Sequence, residues 1–207
     1  MSDNEKKNTW DERFDVPEYV YGTEPNGFLA EVLDRIPKGP VLSLGEGEGR
    51  NAVHLAENGY DVTAVDSSAV GLDKTRKLAR ERSVHVTTVH ADLADFHIEP
   101  GHWAGILSIY CHLPRGIRAL VHRRSVRGLR PGGALVLEAY SPRQLEYRTG
   151  GPQSLELLMD LDAVKEELAG LRFERALEKV RDVREGRCHQ GQGAVIQILG
   201  FKPMEGC

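Results

Sequence analysis

Cysteine, long apolar runs and net charge are all scarce in this chain, and each scarcity excludes a class of protein. The three cysteines, Cys111, Cys188 and Cys207, are odd in number and lack C-x-x-C spacing, which excludes a disulfide framework and a zinc finger. The longest apolar runs, such as ALVL at 134–137, suit a strand and are too short for a membrane span. The stretch MSDNEKKNTW is polar and has no signal-peptide core, so we expect a cytoplasmic protein without a membrane partner.

The charge balance gives little reason to expect a nucleic-acid partner. A net charge of −4 and a pI near 6.1 provide no general attraction to phosphate backbones. The segment 114–130 is locally basic, and the predicted helix covers it from about Pro114 to Leu129. Its arginines are Arg115, Arg118, Arg123, Arg124, Arg127 and Arg130. Apolar residues at helical spacing in that segment favour a helix with a solvated basic face.

Length and composition predict one domain with a well-buried core. The chain has 207 residues, of which 40% are hydrophobic and 28% charged. We expect residues 1–207 to form this one domain, with residues 1–38 as an N-terminal cover segment and helix. Residues 39–207 would then form the core built on a sheet.

Apolar patterning in that core alternates between strands and helices. Short apolar runs at 41–44, 61–66, 84–89, 103–109 and 134–139 are separated by segments of helical periodicity. Such alternation predicts a parallel sheet covered by helices on both faces. The chain ends differently, because a strand ending near Val183, a glycine-rich turn and the strand AVIQILGF follow one another without a helix. These last two strands are expected to form an antiparallel hairpin.

The stretch LSLGEGEGRN at 42–51 places three glycines between the first strand and a helix. Glycine gives up the most backbone freedom on folding, so three in five residues indicate a turn that needs bare backbone. A flexible turn is the simpler interpretation, but the first such turn of an open α/β sheet is the usual ligand site. The dinucleotide pattern G-x-G-x-x-G requires a glycine at position 50, where this chain has Arg50, and this disfavours NAD.

Two acidic residues at the ends of the next strands support a nucleoside ligand. Asp66 ends the second strand, about 20 residues beyond the glycine turn, where a carboxylate can accept hydrogen bonds from ribose hydroxyls. Asp92 follows the third strand and can accept from an adenine amino group. Either residue alone is more often a helix cap, but together at successive strand ends they favour a cofactor site.

These motifs make the chain resemble the class I S-adenosylmethionine-dependent methyltransferases over nearly its whole length. The resemblance implies an α/β, Rossmann-like, seven-stranded sheet of order 3-2-1-4-5-7-6, with the last strand antiparallel, and S-adenosyl-L-methionine as cofactor. The family usually has an acid two residues before the first glycine, where this chain has Ser43, so Glu46 or Glu48 would supply the negative charge instead. The implied cofactor-binding residues are Gly45, Glu46, Gly47, Gly49, Asn51, Asp66, Ser67, Asp92 and Leu93. No metal is expected, because the pairs Cys111-His112 and Cys188-His189 are unsuited to meeting around one zinc ion.

Residues of the substrate rim are expected in loops at the carboxyl edge, after the fourth, fifth and sixth strands. We predict that this rim contains His112, Tyr140, Arg184 and His189. His112 is either a general base or a loop histidine bonded to backbone, and Tyr140 either faces the substrate or packs under the loop ending at Pro152. Arg184 and His189 lie in a polar turn that is either part of the rim or only a solvated hairpin.

The acceptor is expected to be a small molecule. The segment YCHLPR after the fourth strand lacks the Asn/Asp-Pro-Pro-Tyr and Pro-Cys motifs of nucleobase methyltransferases. The segments GEGEGRN, HLP and EAYSPRQ are similar to small bacterial enzymes grouped with tellurite-resistance and thiopurine methyltransferases, which implies a soft nucleophile such as a thiol or a chalcogen oxyanion. A non-catalytic S-adenosylmethionine sensor and an RNA methyltransferase remain the alternatives. The protein would be a monomer or a homodimer, and its N-terminal aromatics would cover the cofactor or brace the fold.

Overall fold

Seven strands form one mixed sheet in the computed structural model, which describes residues 9–186 and 190–204. The strands are β1 (Pro40–Leu44), β2 (Asp61–Asp66), β3 (Thr87–His90), β4 (Trp103–Ile109), β5 (Leu129–Tyr140), β6 (Arg172–Arg184) and β7 (Gln190–Phe201). Their order is β3-β2-β1-β4-β5-β7-β6, and β7 runs antiparallel to both of its neighbours. The predicted sheet order and the antiparallel last strand are confirmed.

Helices cover both faces of this sheet, as the alternation of apolar segments predicted. The α-helices are α1 (Thr9–Phe14), α2 (Gly27–Val32), α3 (Arg50–Glu57), α4 (Ala69–Glu81), α5 (Arg115–Gly128) and α6 (Leu161–Glu167), with 3₁₀ turns at Leu33–Arg35 and Pro142–Glu146. Residues of α2, α3 and α4 share one buried cluster, and residues of α5 and α6 share the other. Neighbouring residues of β1 divide between the clusters, since Val41 belongs to the first and Leu42 to the second. No helix in the described ranges combines the length and apolar character needed to cross a bilayer.

Two predicted elements begin later than their apolar patterns indicated, and in both cases a local hydrogen bond is the reason. Strand β3 starts at Thr87 instead of Val84, because the Val84 amide donates to the carbonyl of Ala79 at the end of α4. The apolar pattern predicts a helix from about Leu155 to Leu168, but α6 starts at Leu161, because the Asp160 carboxylate accepts from the Ala163 amide as the N-cap. Both differences lie away from the strand ends that carry the predicted site.

Parallel pairing brings the carboxyl ends of five strands to one edge of the sheet. Strands β1, β2, β3, β4 and β5 pair in parallel, so the residues that follow Leu44, Asp66, His90, Ile109 and Tyr140 all lie at this edge. Strand β6 has the same direction, because β7 is antiparallel to both β5 and β6. Ligands of open α/β sheets bind at this edge, so the topology by itself locates the candidate site.

Candidate active site

A cavity of about 990 Å³ lies at the carboxyl edge, and it collects most of the predicted site residues. Its walls come from α1, the glycine turn, the loops after β2, β3 and β4, and the segment 150–157. The predicted cofactor residues that line it are Gly45, Glu46, Gly47, Asn51, Asp66, Ser67, Asp92 and Leu93. Of the predicted rim, His112 lines the cavity, and His189 lies outside the described residues. Gly49, Tyr140 and Arg184 do not line the cavity.

Gly49 serves the packing of two helices. It precedes α3 with φ of 96°, and an added Cβ would lie 2.7 Å from the Cα of Thr75 in α4. Gly45 and Gly47 also have positive φ, but they line the cavity. The turn therefore uses its glycines for two different purposes. Two of them bring bare backbone to the cavity, and the third lets α3 and α4 approach each other.

We expect Gly49→Ala to lower the free energy of unfolding by at least about 2 kcal/mol. Alanine is strained in the left-handed backbone conformation, and its Cβ would also collide with Thr75. Gly116→Ala is the matched control, because Gly116 lies in α5 and an added Cβ there would meet nothing within 4 Å. That substitution should stabilise the protein by about 0.5–1 kcal/mol through helix propensity. Urea unfolding of both variants measures the difference, and equal stabilities would show that the Gly49 contact has no energetic consequence.

The carboxylate of Glu46 lies beside Ser43, the position at which the family usually has an acid. The Glu46 side chain accepts a hydrogen bond from the hydroxyl of Ser43, so the two buried side chains are in direct contact. Its second oxygen accepts from the amides of Asn51 and Ala52 at 3.0 and 2.9 Å, which caps the start of α3. Burial raises the pKa of Glu46, and these hydrogen bonds act in the opposite direction. An acid thus stands beside the glycine turn, although it comes from three residues later in the chain.

Asp66 and Asp92 are held as hydrogen-bond acceptors at the ends of their strands. The Asp66 carboxylate accepts from the Gly47 amide at 2.8 Å and from the Ser68 amide at 2.7 Å. Burial raises its pKa, and the two amides lower it in part. Asp92 is exposed and accepts from the Ala94 amide at 2.8 Å. Because each carboxylate oxygen has two acceptor sites, both residues keep acceptor capacity for a ligand in the cavity.

Helix α1 covers the cavity from the side of the N-terminus. Asp11 fastens it to the start of α4, accepting from the Ser68 hydroxyl at 2.5 Å and the Val70 amide at 3.2 Å. Phe14 lies over Gly47 and Gly71, and Trp10 stacks on it with ring centroids 5.6 Å apart. Trp10, Phe14 and Tyr21 all line the cavity, whereas the ring of Tyr19 lies against the ammonium group of Lys74. The N-terminal aromatics therefore form part of the cavity wall.

His112 lines the cavity as a neutral ring whose two nitrogens both meet backbone groups. Its Nδ1 lies 2.8 Å from the carbonyl oxygen of Leu157, to which it donates, and its Nε2 accepts from the amide of Tyr140 at 3.4 Å. Burial lowers the pKa of His112 to about 4, so the ring stays neutral around pH 7. A general base needs a free nitrogen and a pKa near the working pH. These contacts favour the second of the two alternatives for His112, a loop histidine bonded to backbone, which here joins the β4 loop to the 150–157 segment.

This neutral state makes His112 a source of acid sensitivity. The pKa of His112 is about 4 in the folded state, against an ordinary value of 6.5 for histidine. Between pH 6.5 and 4 this residue is therefore protonated in the unfolded chain and neutral in the folded chain. The contribution of neutral His112 to the free energy of unfolding is fully present above pH 6.5, and up to about 3 kcal/mol of it is lost as the pH drops toward 4. We expect His112→Asn to be less stable at pH 7 and to approach the parent protein by pH 4. Thermal unfolding across this range measures the difference, and a constant gap would refute the neutral assignment.

Tyr140 and Arg184 do not line the cavity, and their positions favour the structural alternative that was open for each of them. Tyr140 is 1% exposed, and a Cβ added to Gly151 would lie 2.5 Å from its ring, so the ring supports the loop from beneath. This is the packing alternative for that residue. Arg184 has an exposed side chain whose Nε donates to Asp182 at 2.7 Å. Its position is that of a solvated hairpin residue.

Comparison with known proteins identifies the domain. Residues 41–133 match the family model described as a methyltransferase domain, a range that contains the glycine turn, Asp66, Asp92 and His112. The chain thus contains a segment that is similar to a methyltransferase domain. The expected cofactor and enzyme class are thereby confirmed, and no curated protein sequence matches the chain.

Solved structures of similar fold agree with this methyltransferase domain. One, solved for the conversion of a disulfide bond into a thioacetal group during echinomycin biosynthesis, has a TM-score of 0.76 at 20% identity and covers 95% of this chain and 91% of its own. An S-adenosylmethionine-dependent methyltransferase from Methanosarcina mazei has a TM-score of 0.68 at 15% identity, covering 84% and 98%. TehB from Haemophilus influenzae has a TM-score of 0.69 at 17% identity, covering 93% and 65%. At these identities the likeness concerns the fold.

Behind the cavity of the methyltransferase domain lies a buried charged network that the sequence patterns did not predict. Glu138 of β5 is 0% exposed and accepts from Asn26 Nδ2 at 2.8 Å and the Tyr110 hydroxyl at 2.9 Å. Arg181 of β6 pairs with both Glu138 and Glu185. The network joins residues 159 positions apart, and its one sequence signal is the glutamate within the apolar strand ALVLEAY. It fixes the β6–β7 hairpin and the N-terminal segment to the sheet.

Proposed function

We propose that the methyltransferase domain transfers the methyl group to a small molecule that presents a soft nucleophile, such as a thiol or a chalcogen oxyanion. The observation that carries this proposal is the cover that parts of the chain form over two sides of the cavity. Helix α1 covers one side of it, and Gly150, Gly151, Pro152, Gln153 and Leu157 cover another. An acceptor must fit inside together with the cofactor, and 990 Å³ is at the upper end of ordinary ligand pockets. A macromolecular acceptor would need an open approach.

The residues present suit the cofactor. When bound, S-adenosylmethionine supplies an electrophilic methyl group on a sulfonium, which an acceptor displaces in line. Asp66 would accept from the ribose hydroxyls and Asp92 from the adenine amino group, while the bare backbone of Gly45 and Gly47 would allow close approach. Phe14 and the 150–157 segment exclude water and hold the acceptor in one orientation, which is the main contribution an enzyme makes to such a displacement.

The acceptor is expected to bring its own nucleophile in reactive form. His112 is neutral, and both of its nitrogens are engaged by backbone groups. Cys111 also lines the cavity, but burial raises the pKa of its thiol to about 12, so it takes no proton from a substrate at pH 7. Thiols and chalcogen oxyanions are ionised, or readily become so, near neutral pH and need little help from a base. The similarity of the fold to TehB supports this class of acceptor.

Calorimetry followed by a turnover screen tests the proposal. The purified protein should bind S-adenosylmethionine and S-adenosylhomocysteine and should not bind NAD. Methyl transfer from labelled S-adenosylmethionine is then measured with small thiols, selenite, tellurite and small amines as acceptors. Transfer to a thiol or an oxyanion supports the proposal. Binding without transfer to any of them would favour a sensor, and failure to bind either sulfur nucleoside would contradict the cofactor assignment as well.

An RNA acceptor is the less favoured alternative, because three of the six arginines between residues 115 and 130 already bond to groups within the fold. Arg118 pairs with Glu167 at 2.7 Å, Arg124 donates to the Ala94 carbonyl, and Arg130 donates to the Lys38 carbonyl. These guanidinium groups stabilise the fold and are not available as a continuous phosphate-binding stripe. Salt-dependent binding of RNA by the protein would reverse this preference.

A further inference from the structure

Arg50 is a buried arginine at the cavity whose hydrogen bonds are incomplete. It is the first residue of α3, lines the cavity and is 6% exposed. Its Nη2 forms an ion pair with Glu185 at 2.5 Å. Its Nη1 is also buried and has no hydrogen-bond partner within the described part of the chain. One half of the guanidinium is therefore paired, and the other half is unsatisfied.

An unsatisfied guanidinium nitrogen beside a ligand cavity indicates a missing acceptor. Buried polar groups in proteins nearly always have partners, and leaving a charged donor unpaired is costly. Glu185 does not provide a second oxygen for Nη1, because its carboxylate is shared with Arg181 and with Asn26. A planar guanidinium matches a carboxylate best, since two parallel N–H groups can donate to its two oxygens.

We propose that Arg50 binds the carboxylate of an amino-acid group in the cavity. The inference rests on the proposed use of this cavity for cofactor and acceptor, and it adds a specific ionic contact to it. S-adenosylmethionine carries such a carboxylate at its methionine end, and an amino-acid acceptor would carry one as well. Arg50 would then discriminate between amino acids and the corresponding amines. The missing third glycine of the dinucleotide pattern is thus replaced by a residue that recognises this cofactor or its acceptor.

Calorimetry with matched ligands tests the assignment to the cofactor. S-adenosylhomocysteine and its decarboxylated analogue are titrated into the parent protein and into Arg50→Gln. We expect the parent to bind the carboxylate form about 10- to 100-fold more tightly, which is the effect of a charged hydrogen bond, and Arg50→Gln to lose this preference. The affinity for the decarboxylated analogue should change by less than about 3-fold.

A second pair of ligands tests the assignment to the acceptor. L-cysteine and cysteamine, which differ by one carboxylate, are titrated in the presence of saturating S-adenosylhomocysteine. If Arg50→Gln loses the preference only in this pair, the carboxylate belongs to the acceptor, and the proposal stands with that source. If Arg50→Gln is folded and changes neither preference, the proposal is overturned. Failure of the parent protein to bind S-adenosylhomocysteine at all would instead contradict the cofactor site itself.

Two further variants separate recognition from structure. Arg80→Gln removes an exposed arginine of α4 that is not among the residues lining the cavity, and it should leave the preference for carboxylate ligands unchanged. The double variant Arg50→Gln/Glu185→Gln removes both members of the buried pair, so no unpaired charge remains if the single variant folds poorly. It should show the same loss of preference, and retention of the preference in the folded double variant would overturn the proposal.

Discussion

Asp66→Ala is expected to lower the affinity for S-adenosylhomocysteine by about 100-fold or more, because two charge-assisted hydrogen bonds to the ribose would be lost. Asp66 lies at the carboxyl end of β2, is 7% exposed and lines the cavity. The substitution also releases the Gly47 amide, which is part of the glycine turn. Both consequences act on the same ligand, so the loss of binding should be larger than at any other single carboxylate of the site. Titration calorimetry measures it.

Asp61→Ala is the matched control, since Asp61 begins the same strand at the opposite edge of the sheet and is exposed. Its affinity for S-adenosylhomocysteine should equal that of the parent protein. Thermal unfolding confirms that each variant is folded. An unchanged affinity in folded Asp66→Ala would remove Asp66 from the cofactor site.

The pKa of Asp66 explains why this variant should still fold. Burial raises the pKa above 3.8, so at neutral pH the ionised carboxylate opposes folding, and the opposition is relieved as the pH falls through the folded pKa. Removing the charge therefore offsets part of the stability lost with the hydrogen bonds to Gly47 and Ser68. Ligand affinity has the opposite dependence, because a protonated Asp66 accepts fewer hydrogen bonds. Affinity should accordingly decline on acidification at a higher pH than a solvent-exposed aspartate would produce.

The alternation of strands and helices, and with it the edge of the sheet that carries the candidate site, could be predicted from local patterns, whereas the strand order was implied by the family resemblance. Apolar segments at strand and helix spacing define the alternation, and parallel connections then bring Gly45, Asp66 and Asp92 to one edge. The functions of individual residues in those loops could not be predicted in the same way. Whether His112 has a free nitrogen depends on the Leu157 carbonyl, which is 45 residues away. A sequence pattern contains no information on such a contact.

The buried charged network was missed for the same reason. Asn26, Arg50, Glu138, Arg181 and Glu185 lie in separate segments of the chain, and most of them look like ordinary surface residues there. Only Glu138 interrupts an apolar strand and so indicates a buried partner. In the sequence, Arg50 indicates only that the third glycine of a dinucleotide site is missing. Its function depends on the chain folding Glu185 against it.

Arg181→Met is expected to lower the free energy of unfolding by about 3–5 kcal/mol, the usual consequence of leaving a buried carboxylate without its cation. Arg181 is paired with Glu138 at 2.5 Å and also with Glu185, and it donates to the Tyr110 hydroxyl at 3.3 Å. Methionine retains much of the apolar stem but supplies no charge. Glu138 would keep only the neutral donors Asn26, Tyr110 and Gln197 among the residues that the structure describes. Urea unfolding at pH 7 measures the loss.

Arg175→Met tests whether burial is the cause, because Arg175 lies on the same strand and pairs with Glu31 at 2.6 Å at the surface. Exposed ion pairs contribute about 0–1 kcal/mol, so this variant should be nearly as stable as the parent. The double variant Arg181→Met/Glu138→Gln also removes the unpaired carboxylate of Glu138, so it should recover part of the lost free energy of unfolding. If Arg181→Met cost no more than Arg175→Met, the network would not hold the β6–β7 hairpin against the sheet. Glu185 would then need another means of staying beside Arg50 at the cavity.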